Sequence, residues 1–228
     1  TIVDAGTTGA TVSMPASGDT TLTVTAPGIL VLKATVTASD PDYVQTFPIQ
    51  VKGHVLGDVF TVDNIRYQVT SIAAGDSTVA IIGNTLSYAE LKDLNISTVT
   101  DWGETFTVNS IGYSAFNHCI ALNSVIFPKV TDIGLYGFSR CLNLKSISFP
   151  EAISIGGNAF AECRVLTNAP FPKAISIGSA AFVGCEELSD ATFPKLSNLG
   201  EFAFENCFNL KSAAIPNVNA ISNMSFYS

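Results

Sequence analysis

The sequence is poor in charged side chains, and in positive charge above all. Only 13% of its 228 residues are charged, against about 25% in an average soluble domain. Eleven Lys and Arg stand against nineteen Asp and Glu, which gives a formal net charge of −8. Such a chain repels a polyanion and offers it no basic stripe. We therefore expect no nucleic-acid partner.

Long hydrophobic runs are also missing, although 47% of the residues are hydrophobic. The candidate run Ile29 to Leu32 is interrupted by Lys33, far short of the roughly 20 apolar residues that a spanning helix needs. Thr1 to Asp4 have neither the basic start nor the apolar core of a signal peptide. We expect a chain that does not span a membrane and whose signal, if it is exported, has been removed.

Residues for catalysis are scarce. The two histidines, His54 and His118, lie in different segments, and no G-x-S-x-G, H-E-x-x-H or phosphate-loop motif is present. Glu186 and Glu187 fall on repeat positions that we expect to be exposed, where a solvated face is favoured over acid–base chemistry. We predict a protein that is not an enzyme and that holds no cofactor and no metal.

What the sequence does contain is a unit that returns every 22 residues through its second half. Each unit reads approximately I-G-x-x-A-F-x-x-C-x-x-L-x-x-a-x-F-P, where "a" is Val, Ile or Ala. The interval is kept by the Ile-Gly pairs, by the prolines and by a phenylalanine column made of Phe116, Phe138, Phe160, Phe182, Phe204 and Phe226. Such regularity predicts a stack of equivalent rungs.

The spacing within a unit predicts how each rung folds. Val125 and Phe127 are two apart and point to one face of a strand, with Ile126 on the other. The apolar residues of A-F-x-x-C-x-x-L are three apart, which favours a helical or 3₁₀ turn. We interpret the Gly as a turn residue with positive φ and the Pro as the corner after the strand. Rungs stacked about 4.8 Å apart would bury both faces.

All five cysteines occupy one repeat position. An odd, evenly spaced set predicts a ladder of small apolar thiols in the core, because a disulfide framework or a metal cluster needs paired or close spacings. His118 beside Cys119 raises the alternative of a thiol nucleophile with its base. Other residue types fill the position of His118 in later rungs, so we favour the core ladder, which consists of Cys119, Cys141, Cys163, Cys185 and Cys207.

This pattern resembles the BspA-type leucine-rich repeat, whose unit is I-G-x-x-A-F-x-x-C-x-x-L-x-x-I-x-I-P, over residues 111–228. Residues 58–69 look like the hairpin that opens the repeats in that family, and residues 105–110 like its entry strand. The resemblance implies a bacterial protein, extracellular or on the outer cell surface, that adheres to host or cell-surface proteins or glycans. Departures from the family unit occur at Ala169, Pro170, Ala191, Ala213 and Ser222.

The first half of the chain is predicted to be β-structure. Strand-like runs and the turn signal Gly83-Asn84 favour a β cap over residues 53–110, which would cover the first rung. In residues 1–52, the run Thr25 to Ala34 resembles late strands of bacterial Ig-like modules. A full sandwich takes about 100 residues, so this segment is minimal or partial. The predicted fold is thus mixed: an all-β Ig-like segment (1–52), a β cap (53–110) and a leucine-rich-repeat-type β/α solenoid (111–228).

The outward side chains of the repeat strands are the predicted binding surface, because a solenoid can vary them without changing its core. Trp102, in a polar turn, is either an exposed binding anchor or packs over the cap. We predict a secreted or cell-surface binding protein whose partner is an extracellular protein or glycan; the alternative is a structural spacer. The strand positions are Ser124, Ile126, Ser146, Ser148, Asn168, Pro170, Asp190, Thr192, Ser212 and Ala214.

Overall fold

In a computed structural model, the protein divides into two compact units, Thr1–Val55 with Thr100–Thr105, and Leu56–Val99 with Phe106–Ser228. The structure describes residues 53–73, 75–86, 90–218 and 225–226, together with the backbone of five strands before residue 52.

Before residue 52, the described residues of the first unit form five strands, in agreement with the predicted β-structure. They are β1 (Ile2–Asp4), β2 (Thr11–Ser13), β3 (Thr21–Thr23), β4 (Gly28–Val36) and β5 (Tyr43–Val51). Strands β1, β4 and β5 form one antiparallel sheet in that order, and β2 pairs with β3. This pairing does not identify an Ig-like module, which stays a prediction.

The second unit begins with the segment predicted as the cap. The strands of this segment are β6 (Val59–Val62), β7 (Ile65–Ala73), β8 (Asp76–Asn84), β9 (Asp93–Asn95), β10 (Thr98–Asp101) and β11 (Glu104–Ile111). The ends of β10 and β11 that fall within Thr100–Thr105 are assigned to the first unit. Strands β6, β7 and β8 run antiparallel, whereas β8 pairs in parallel with β11. The hairpins therefore extend a sheet of the solenoid.

The repeats supply two columns of parallel strands. Two-residue strands continue from β11 and complete the long sheet: β13 (Asp132–Ile133), β15 (Ser154–Ile155), β17 (Ser176–Ile177) and β19 (Asn198–Leu199). Three-residue strands form the second column: β12 (Ser124–Ile126), β14 (Ser146–Ser148), β16 (Asn168–Pro170), β18 (Asp190–Thr192) and β20 (Ser212–Ala214). Equivalent residues pair at intervals of 22, as Val125 does with Ile147, so the predicted stacking is confirmed.

The predicted helical turn, and with it the β/α description, is wrong: the rung residues that the structure describes contain no helix. In the segment that follows Gly112, amides alternate between two kinds of partner. The N–H of Asn117 donates to the carbonyl of Ser114 within the turn, whereas the N–H groups of Phe116 and His118 donate to the next rung, at 2.8 Å each. A helix would direct all of these amides along its own axis. We name this side of the solenoid, residues 112–120 and their equivalents, the turn face.

Left-handed backbone at two repeat positions produces that alternation. The first position comprises Ser114, Tyr136, Asn158, Ala180 and Phe202, and the second comprises His118, Arg140, Glu162, Gly184 and Asn206. All ten have φ between 52° and 70°, although nine carry a side chain that disfavours this conformation. In the first four residues of each column, the backbone N–H donates to a carbonyl of the neighbouring rung, which stabilises this conformation.

The repeat glycines are required for a different reason from the one predicted. Their φ angles are not positive, since the positive-φ glycines are Gly57, Gly75, Gly83, Gly103 and Gly184. Instead, the backbones of successive rungs approach closely at this column. A Cβ added to Gly178 would lie 2.4 Å from the backbone nitrogen of Gly157. The column is therefore glycine because there is no space for a side chain.

Two phenylalanine ladders fill the solenoid. Rings of one column stack on each other, as Phe116 does on Phe138 with centroids 5.1 Å apart, and Phe127 stacks on Phe149 in the second column at 5.6 Å. The columns also contact each other, since the centroids of Phe127 and Phe138 lie 6.2 Å apart. Offset stacking and apolar burial both favour this arrangement. The Ile, Cys and Leu columns surround the rings, and the burial of the Cys column confirms its prediction from the sequence.

Pro170 interrupts the second strand column. The three-residue strands form two separate sheets, β14-β12-β9 and β16-β18-β20, and the break falls where Pro170 enters. Proline has no N–H to donate to a ladder. The hydrogen bond between adjacent rungs just before the strand is also longer here. The nitrogen of Thr167 lies 3.5 Å from the carbonyl oxygen of Lys145, whereas in the preceding pair of rungs the nitrogen of Lys145 lies 2.9 Å from the carbonyl oxygen of Asn123.

Candidate binding surfaces

The ten strand positions singled out in the sequence form one outward surface, which we name the strand face. In β12, Val125 is buried while Ser124 is half-buried and Ile126 is 40% exposed. The other four strands repeat this alternation, with an apolar central residue directed inward. The structure thus brings the ten residues into two parallel columns.

The strand face carries little charge. Its single ionisable residue is Asp190, whose carboxylate accepts hydrogen bonds from Ser189 Oγ and Ser212 Oγ. At the end near the cap, Asp93 accepts from Ser124 Oγ at 2.5 Å and from Asn123 Nδ2 at 3.2 Å. These bonds, that of Ser124 first, lower the pKa of Asp93 below its ordinary value. The remaining surface consists of hydroxyls, amides and small apolar groups.

Trp102 is exposed, which argues against the alternative that its ring packs over the cap, and its role as a binding anchor stays a prediction. It lies in the turn between β10 and β11 with φ of 49°, and 56% of its surface is accessible. It belongs to the first unit, with Thr100–Thr105. The strand face belongs to the second unit, so Trp102 is a separate candidate.

The cysteines lie in the core, and their chemistry is that of protonated thiols. All five are free and buried. Burial raises the pKa of Cys119 to about 12 and that of Cys207 to about 12. The Nε2 atom of His118 accepts a hydrogen bond from Arg140 at 3.1 Å, and the Sγ atom of Cys119 receives one from Asn84. A thiol that stays protonated is a poor nucleophile, which agrees with the interpretation as core ladder.

A groove on the turn face was not anticipated from the sequence. Both left-handed columns contribute to it: Tyr136 and Asn158 form one wall, and His118, Arg140 and Glu162 form the other. The residue types at these positions vary from rung to rung, so the repeat pattern indicates positions that tolerate substitution and gives no sign of a function. The only available signal was the clustering of His, Arg and Tyr in the first rungs of a chain with few charges.

The described residues contain neither a metal-ligating cluster nor a membrane-spanning helix. No group of three or more His, Cys, Asp or Glu side chains converges there on a possible ion. Within the same residues, no helix is long and apolar enough to cross a bilayer.

Comparison with known proteins places the repeats in a family. The sequence model described as BspA type leucine rich repeat region matches residues 81–194 and 109–228, with six copies of the repeat. No curated protein matches the chain.

Three bacterial crystal structures share the fold. A leucine-rich cell surface protein of Faecalibacterium prausnitzii is 28% identical with a TM-score of 0.65, over 75% of this chain and 46% of its own. A leucine-rich repeat protein of Bacteroides ovatus is 28% identical with a TM-score of 0.59, over 69% and 41%. That of T. pallidum is 26% identical with a TM-score of 0.57, over 66% and 69%. The chain therefore spans less than half of the first two proteins.

Proposed function

Because the chain belongs to the BspA-type leucine-rich repeat family, we propose that it is a bacterial cell-surface or secreted protein that binds an extracellular protein through its strand face. The similar protein of F. prausnitzii is described as a cell surface protein, which supports this location. The binding role depends on the properties of the strand face itself.

The observation that carries the proposal is a regular surface with almost no charge. Interface cores between proteins are depleted of charged residues, and the strand face has Asp190 alone. Ile126, Pro170 and Ala214 add exposed apolar atoms along its length. Rungs about 4.8 Å apart give a flat, extended surface, which suits a protein better than a small ligand that needs a concave pocket.

The test places a large charge on this face without touching the core. Ser148→Arg and Ala214→Arg each add a guanidinium to an outward position. Binding of the variants to immobilised extracellular-matrix proteins is compared with that of the unaltered chain by surface plasmon resonance. Lys173→Arg, at an exposed corner between the strand columns, is the matched control because it changes size but not charge.

We expect the two strand-face variants to weaken binding about tenfold or more, since an unpaired charge buried at an interface is costly. The Lys173→Arg control should bind as the unaltered chain does. Binding that survives both strand-face variants would exclude this face. Recovery of no extracellular protein at all would favour the structural spacer instead.

A further inference from the structure

The groove on the turn face, which we name the turn groove, lies apart from the strand face. Its floor is formed by one repeat position, occupied by Asn117, Ser139, Ala161 and Val183 in successive rungs. These four rungs span about 14 Å at 4.8 Å each. The groove has a volume of about 350 Å³, which lies within the range of sites for small ligands.

The wall that contains Arg140 offers several unused hydrogen-bond donors. Its Nη1 atom donates to Nε2 of His118 at 3.1 Å. A guanidinium has five N–H donors and cannot accept, so His118 Nε2 is the acceptor in this pair. Arg140 is exposed, and His118 is its one side-chain partner in the described part of the chain. The other N–H groups are therefore free to meet ligand oxygens.

Asn117 contributes a polar group that the protein does not satisfy. Its Oδ1 atom is buried and accepts no hydrogen bond from the residues that the structure describes. A buried acceptor without a donor is unfavourable. The terminal torsion of asparagine is soft, so a rotation of the amide presents Oδ1 to the groove. A ligand hydroxyl can donate to Asn117 and accept from Arg140 at the same time.

The opposite wall carries an aromatic ring. Tyr136 lines the groove, and the ring of Tyr113 packs edge-on against it, with centroids 6.1 Å apart and an interplanar angle of 90°. A tyrosine held in this way presents an apolar surface beside a polar tip. Ala161 and Val183 make the far end of the floor apolar. The groove therefore matches a ligand with an apolar face and a rim of hydroxyls.

The charges of the groove oppose an anionic ligand. Arg140 and Glu162 give the wall one charge of each sign, and Arg164, which donates to Glu162 at 2.7 Å, also lies 3.6 Å from Glu186. The chain as a whole carries a formal net charge of −8, which repels anions at longer range. We propose that the turn groove binds a neutral oligosaccharide, with a pyranose ring packed against Tyr136 and its hydroxyls bonded to Arg140 and Asn117.

The repeat itself supplies mild substitutions to test this site. Alanine is native at the floor position of Asn117, as Ala161, and at the wall position of Tyr136, as Ala180. Glycine is native at the position of Arg140, as Gly184, where φ is also positive. Asn117→Ala, Tyr136→Ala and Arg140→Gly thus remove groove side chains with replacements that the fold already accepts. Asn206→Gly, in the column of Arg140 but outside the groove, is the control.

Binding of cellohexaose, mannohexaose and xylohexaose to the full chain is measured by isothermal titration calorimetry and by ligand-observed NMR at millimolar concentration. We expect at least one of them to bind. Tyr136→Ala should weaken that binding about fivefold, and Arg140→Gly about tenfold. Asn206→Gly and the strand-face variant Ser148→Arg should bind as the unaltered chain does, which separates this site from the proposed protein-binding face. Thermal unfolding of each variant shows that the fold is kept.

Three results would overturn the proposal. The first is that none of the three neutral hexasaccharides binds. The second is binding that the folded groove variants leave unchanged, because the sugar would then lie elsewhere. The third is a preference for a sulfated hexasaccharide of heparin over all neutral probes, which would show that charge and not hydroxyl chemistry decides recognition.

Discussion

Cys163 donates its S–H to the backbone carbonyl of Phe138, in the rung before, at 3.2 Å. Three further thiols repeat this bond at the same distance, each with the phenylalanine 25 residues earlier, as Cys185 does with Phe160. The cysteine column is therefore more than a set of small apolar side chains. Each of these four thiols fills the core and gives a second donor to a carbonyl that also accepts the N–H of the cysteine three residues later, as Phe138 does from Cys141.

Replacement of Cys163 by alanine should destabilise the fold by about 1 to 2 kcal/mol, because it leaves a small cavity and removes one of the two hydrogen-bond donors to the carbonyl of Phe138. Chemical unfolding in urea measures this loss. Cys119→Ala is the matched control: Cys119 is equally buried, but its sulfur accepts from Asn84 and does not donate to a phenylalanine carbonyl in the described residues. Equal losses at the two positions would show that the S–H bond contributes nothing.

High pH should destabilise the protein through the same thiols. Burial raises the pKa of Cys119 from its ordinary value of 9.0 to about 12 in the folded state. The unfolded state releases this proton first, so stability is complete below pH 9 and is lost as pH rises toward 12. Each pH unit in that window costs at most about 1.4 kcal/mol per thiol.

Urea unfolding at neutral pH and within that window measures the effect. Tyr67 also has its pKa raised to about 12, mainly by burial, so the comparison must be made between variants. The fall in stability should be shallower for Cys119→Ala than for the unaltered chain. Parallel curves for the two proteins would contradict the assignment to thiols.

Gly178→Ala should be among the most destabilising single changes, costing about 3 kcal/mol. The new Cβ would meet backbone atoms of the preceding rung at 2.4 to 2.8 Å. Neither of the two rungs can move apart without disturbing its contacts with the rest of the stack. Gly112→Ala is a graded control, because its nearest backbone atom, the oxygen of Ile81, lies at 3.0 Å. Thermal unfolding should rank Gly112→Ala well above Gly178→Ala in stability. The reverse order would contradict the close-approach explanation.

Pro170→Thr should join the two sheets of the second strand column. Threonine supplies the missing N–H and is native at the equivalent position, Thr192. Hydrogen exchange by mass spectrometry should show slower exchange in β14 and β16. The converse change, Thr192→Pro, should open a second break and cost about 1 to 3 kcal/mol. Unchanged exchange in β14 for Pro170→Thr would mean that another feature separates the sheets.

The sequence predicts the buried columns and the outward strand positions because strand periodicity sorts side chains by face directly. Val125 and Ile126 are adjacent in sequence and lie on opposite sides of the wall, as the pattern indicates. The turn face could not be predicted in the same way. Apolar residues three apart also arise when left-handed residues such as Ser114 and His118 fold a series of turns. Side-chain spacing alone does not distinguish this path from a helix.

The two candidate sites differ in the same way in how far the sequence predicts them. Strand-face residues follow from alternation, whereas the turn groove depends on which side chains meet across rungs. Arg140 and His118 are 22 residues apart, and each occupies a position where many residue types occur. Their convergence is a property of the stack, so it is visible only once the rungs are placed on one another.

The amides of the turn face that donate from one rung to the next have a mechanical consequence. A pulling force along the solenoid axis would act directly on these bonds and on the strand ladders, which separate rung by rung. Each rung that peels away releases 22 residues, or about 75 Å of extended chain. On a cell surface under shear, such a protein would lengthen in equal steps and dissipate force while the remaining rungs stay folded.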